Sequence, residues 1–293
     1  MYSSTCETAN QKGKEQVGQM EISSQTRQPE QPAWNWPLDD QTPVDITPYY
    51  VSKYSKGGLS YWVGAARSVG LTAQDWEQRR KAPIVYLLKV GSDAIHERLY
   101  YRIARTLDLP QQHVFWAVTP PHTDLVAAAI QFEPEAFFPR RIDVSTKTVL
   151  YRRRTHFVPN AEDFWRHDVL HYYCGTGDIH QAMVKGNVLF GIDAADCTFR
   201  APFLENYWQQ YLDHYQAQDP IRLPVIYEMM QRIAHHAELP ELVEQELGEA
   251  PGPVLEHLAY QHAIPGENIR AMHNELLHNL QKLSPTFPGA IFL

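Results

Sequence analysis

Cysteine is scarce. Only Cys6, Cys174 and Cys197 occur in 293 residues, and their spacing matches neither a disulfide framework nor a thiolate metal site. Long apolar runs are missing too. The best, Leu125 to Ile130, falls far short of the roughly 20 residues a membrane helix needs. The N-terminus has no basic stretch leading into an apolar core, so no secretory signal is expected. Excess positive charge is also absent: the formal net charge is −8. That argues against a general nucleic-acid binder, and no direct nucleic-acid binding is expected. Together these absences point to a cytoplasmic protein without a membrane partner.

The chain has ample apolar material, with 44% hydrophobic and 20% charged residues, so a substantial core is expected. Residues 1–33 hold few large aliphatic side chains and read as a disordered tail. Trp34 and Trp36 are the first candidates to dock on a core. Tyr49 to Val51 is strand-like, and Lys53 to Val63 reads as strand, glycine turn, strand. Residues 72–80 suggest a polar turn or short helix. Ile84 to Val90 is the clearest strand, broken only by Lys89. Gly91-Ser-Asp then signals a helix start, and Leu99, Ile103 and Leu107 recur every four residues along one helical face.

Two more strands are expected, at His113 to Val118 and Leu125 to Phe132. Glu133 to Pro139 ends that pattern. Beyond it the chain turns helical, over Ala161–Tyr173, Pro202–Gln216, Pro224–His236, Pro240–Leu247, Pro253–His262 and Ile269–Leu283. A β segment at 182–193 interrupts them. Strands first and helices later make an α+β chain. Its parts are residues 34–135, β-rich, and 136–293, helical with a hairpin.

Lys89 sits near the end of a buried-looking strand, where an ammonium group is costly without an anionic partner. Glu97 opens the next helix. Such a lysine–glutamate pair can hold nucleotide phosphates. A second group runs from Cys174 to Asp193. There Gly177-Asp178-Ile-His180 precedes a hairpin turning at Lys185-Gly186-Asn187, and Ile192-Asp193 closes it. Two carboxylates at one end of a hairpin can divide two tasks. One positions or deprotonates a hydroxyl, and the other holds Mg²⁺ against phosphate oxygens.

The order Gly-rich turn, strand lysine, helix glutamate, Gly-Asp-x-His, hairpin, Ile-Asp is similar to the HipA-like branch of the protein-kinase-like superfamily. The resemblance covers roughly residues 50–235. It implies a two-lobed kinase-like fold and transfer of the γ-phosphoryl group of ATP, with Mg²⁺, to a Ser/Thr hydroxyl of a protein substrate. Carried over, it makes Lys89 the phosphate-binding lysine and Glu97 its partner, with Gly57, Gly58 and Ser60 covering the phosphates. Asp178, beside His180, becomes the catalytic aspartate, and Asp193 the metal-binding aspartate. The family's metal-binding asparagine falls on Met183 here. Gln181 and Asn187 are the nearby amides and stand as metal candidates with Asp193, and a catalytically impaired pseudokinase acting as a partner-binding module is the alternative.

A different class rests on His167 and His171, spaced i, i+4, which with Asp178 would make a metal-dependent hydrolase. His235, His236, His273 and His278 read as solvated. Arg152-Arg153-Arg154, with Arg140-Arg141 nearby, forms a basic cluster that could meet an acidic or phosphorylated partner.

Overall fold

The computed structural model describes residues 34–47, 49–53, 60–66, 84–118, 127–175, 181–197, 199, 207–218, 221–249 and 265–283. The proposed tail (1–33), the glycine turn with Gly57 and Gly58, residues 72–80, the helix at 253–262, and Asp178 with His180 lie outside them.

A six-stranded sheet has the order β1-β5-β6-β4-β3-β2. Its strands are β1 (Val44–Asp45), β2 (Tyr49–Lys53), β3 (Ser60–Ala66), β4 (Ile84–Val90), β5 (Val114–Val118) and β6 (Ala127–Gln131). All pairs are antiparallel except β1 with β5. β4 is interior to the sheet, which explains its nearly continuous apolar run. The pleat sends Leu88 and Val90 to one face, where they pack with Ile46, Ala117 and Ala129. Leu87 goes to the other face, toward helix α1 (Ser92–Thr106). Lys89, two residues on, shares that face.

Helix α1 begins directly after Gly91, whose φ of 65° lets the strand turn sharply into the helix. Leu99 and Ile103 belong to a large core that includes Trp116, Val169, Met229, Ile233 and Leu276. That core joins α1 and the sheet to helices α2 (Asp163–Tyr173), α3 (Tyr207–Gln218), α4 (Arg222–His235), α5 (Leu239–Gly248) and α6 (Pro265–Leu283). A buried ion network reinforces it. Glu246 of α5 accepts hydrogen bonds from Arg98 Nε (2.6 Å) and Trp116 Nε1 (2.8 Å), and its other oxygen lies 3.0 Å from Arg102 Nε. Arg102 and Arg105 also pair with Asp40, which ties the segment before β1 to the helix. Trp34 and Trp36 do dock: Trp34 packs on Phe190 and His113, and Trp36 on Tyr101.

The α+β expectation holds, with a β-rich first part and helices after it. The second part carries more strand than its composition suggests. Strands β7 (Arg141–Asp143), β8 (Thr148–Tyr151) and β9 (Arg154–Phe157) form a three-stranded antiparallel sheet. It packs through Val149 and Val158 on the hairpin of β10 (Gln181–Lys185) and β11 (Val188–Ile192). Among the described residues no helix is long and apolar enough to cross a membrane.

Candidate active site

The cluster is assembled by the end of β4, the first turns of α1 and the end of β11. Lys89 Nζ donates to Asp193 Oδ1 at 3.0 Å and lies 3.7 Å from Glu97 Oε1. Lys89 is flanked by the first residue of β3, Ser60, and by Ala128 of β6. Glu97 is 1% exposed, and its second oxygen accepts the Ala194 backbone N–H at 3.1 Å. Asp193 sits in the left-handed region with φ 55° and keeps 43% of its side chain exposed. The turn therefore presents one carboxylate outward while the next peptide N–H anchors Glu97 inward.

The charges divide unequally. Burial pushes the Glu97 carboxyl up to about 7, although Lys89 opposes the shift. Burial pulls the Lys89 ammonium down, yet Glu97 and Asp193 outweigh it and hold the ammonium above its ordinary range. Lys89 thus keeps its proton, with Asp193 as its close anion and Glu97 near its titration midpoint at neutral pH. Asp93, in the first turn of α1, adds negative potential at both groups. In the sequence Asp93 stands out only as part of a helix start. Nothing in the sequence marks the Ala194 N–H, because a backbone donor has no residue signature.

This inversion predicts a pH effect. The folded chain retains a proton on Glu97 that the unfolded chain, with a carboxyl near 4.5, releases earlier. The resulting stability is complete below about pH 4.5 and is lost as pH rises through about 7, a difference on the order of 3 kcal/mol. Glu97→Gln keeps an acceptor for Ala194 and removes this titration. Urea midpoints of the variant should vary less between about pH 5 and pH 8 than those of the parent. Equal slopes in both proteins would disprove the assignment.

Gln181 is exposed and pairs with Ile192, so it stands at the same hairpin end as Asp193. Asn187 does not. It lies in the turn beyond Lys185 and Val188, about five residues of strand and roughly 15 Å away. The expectation that Asn187 and Asp193 share a metal is therefore corrected. Met183 faces Phe190 midway along the hairpin.

The histidine hydrolase expectation also fails on geometry. His167 is fully buried, with Nε2 at 2.7 Å from the Pro110 carbonyl and Nδ1 at 2.9 Å from the Tyr100 hydroxyl. The carbonyl can only accept, so Nε2 carries the proton and Nδ1 takes the tyrosine O–H. No lone pair is left for a metal. The β11 backbone lies tight on this ring, for a Cβ at Gly191 would come within 2.4 Å of it. His171 is buried too, its Nδ1 3.7 Å from Cys197 Sγ. Among the described residues, no group of three or more His, Cys, Asp or Glu side chains could hold an ion. His273, expected on a solvated face, is buried and bonded to the Tyr173 hydroxyl at 3.2 Å.

No family model matches the chain, and no curated protein does. Among solved structures it is similar to the Helicobacter pylori proinflammatory kinase CtkA, at 14% identity and a TM-score of 0.46. That alignment covers 84% of this chain and 98% of the other. It is also similar to a Shewanella oneidensis MR-1 structure of the toxin–antitoxin system HipA, HipB and its operator DNA. There the identity is 11% and the TM-score 0.47, over 85% of this chain and 70% of that one. Similarity at this level assigns no role to any residue.

Proposed function

We propose that the protein is an ATP-dependent phosphotransferase acting on a Ser/Thr hydroxyl of a protein. The observation carrying this reading is the convergence of Lys89, Glu97 and Asp193 from three separate elements. A charged lysine held by a buried carboxyl suits the α- and β-phosphates of a nucleotide. The outward carboxylate of Asp193, with the Gln181 amide at the same hairpin end, offers hard oxygen donors of the kind Mg²⁺ takes. When bound, the ion neutralises charge on the phosphate oxygens. Glu97 orients Lys89, the Ala194 N–H orients Glu97, and the αL turn at Asp193 aims its carboxylate at the phosphates. Asp178 is assigned to position the acceptor hydroxyl, with His180 beside it, and Gly57, Gly58 and Ser60 to cover the phosphates. Residues 34–135 form the nucleotide-binding lobe in this reading, and 136–293 the helical lobe.

Met183 supports a second reading. A thioether cannot replace an amide oxygen at a hard cation, so a single metal and a low rate are expected, with a nucleotide-binding pseudokinase as the limit. Thermal melting with ATP, with and without Mg²⁺, tests binding, and turnover of labelled ATP tests transfer. Asp178→Asn should lower the rate by about 10²-fold or more with nucleotide affinity nearly kept. ATP stabilisation without turnover would select the pseudokinase. No stabilisation would overturn both.

A further inference from the structure

We infer that β9, the outer strand of the three-stranded sheet, is a docking edge for an acidic, extended segment of a partner protein. This does not rest on phosphoryl transfer. The sheet order β7-β8-β9 leaves one side of β9 unpaired among the described residues. Val158 N–H donates to the Lys147 carbonyl at 2.8 Å, which fixes the alternation along the strand. Thr155 and Phe157 therefore turn their backbone N–H and C=O groups outward, as an added strand requires. Both residues are exposed, and Phe157 leaves 54% of its surface in water.

Charge identifies the occupant. Arg140, Arg141, Arg152, Arg153 and Arg154 are all exposed, and none forms an ion pair with a described carboxylate. Asp143, which feels Arg141, is engaged by Ser145 Oγ at 2.6 Å and the Thr146 N–H at 3.2 Å. This positive patch belongs to a chain of net charge −8. The turn between β8 and β9 puts Arg152 and Arg153 at φ 45° and 64°, where Asn-Gly would fit with less strain. Arginine is thus held at the hairpin tip against local preference. A nucleic acid could use the charge, and an unstacked base the ring, but not the open backbone edge. An acidic strand uses all three.

The probe is a short labelled peptide alternating Thr and Glu, titrated into the full chain by fluorescence anisotropy. Binding should saturate, weaken with added salt, and be lost when Gln replaces Glu in the peptide. Arg152→Asn with Arg153→Gly removes two charges while suiting the turn. It should melt no lower than the parent yet bind the peptide about tenfold more weakly. Thr155→Pro, which blocks an outward N–H and breaks no ladder bond, should weaken binding by a similar factor. No saturable binding, an unchanged affinity in both variants, or tighter binding of duplex DNA than of the peptide would overturn the inference.

Discussion

Lys89→Met is expected to abolish stabilisation by Mg²⁺-ATP while leaving the chain folded. For the parent, nucleotide at about 100 times its Kd should add about 2.7 kcal/mol, and the variant should show no shift. The reason lies in the asymmetry of the cluster. The methionine keeps the apolar stem on the α1 face of the sheet, so packing beside Ala128 is conserved. It removes the cation, and Glu97 then stays protonated to higher pH with burial no longer opposed. Differential scanning fluorimetry with and without nucleotide reads the result. A variant that still shifts with ATP would remove Lys89 from the site and leave the phosphates to other donors.

Glu246→Ala should cost about 3–5 kcal/mol of stability. Glu246 is 2% exposed and Arg98 is fully buried. Truncation strands the Arg98 guanidinium in the core, deprives Trp116 of its acceptor and removes one of two anions from Arg102. Pairing the change with Arg98→Met should recover much of the loss, because the cost arises from the orphaned charge more than from a missing attraction. Urea denaturation of the two variants makes the comparison. A loss under about 1 kcal/mol for Glu246→Ala would mean that water or a rearranged partner already compensates Arg98.

Much of the site was legible because its elements are local. The apolar run of β4, the glycine at 91 and the four-residue recurrence along α1 are short-range signals, and the elements appear where those signals lie. The hairpin of β10 and β11 follows its turn residues in the same way. The sheet of β7 to β9 was not legible. Its outer face is solvated and its turn is arginine-rich, so the alternation that marks a strand is diluted by charge. His273 looked solvated because its helix is polar in sequence, yet α6 packs that face against Tyr173.

The sequence by itself determined that Lys89 lies near the end of an apolar strand, that Glu97 lies in the following helix, and that Asp193 closes a hairpin. It also supplied the acidic balance against which the arginine cluster stands out. Only the tertiary structure decided that these three side chains meet, since Lys89 and Asp193 are 104 residues apart and touch through packing of separate elements. It likewise decided that Gln181, not Asn187, shares the end of the hairpin with Asp193, because strand register fixes which end each residue occupies. Burial decided the rest. Glu97 lies in the core, where desolvation lifts its carboxyl to about 7 against the opposing charge of Lys89.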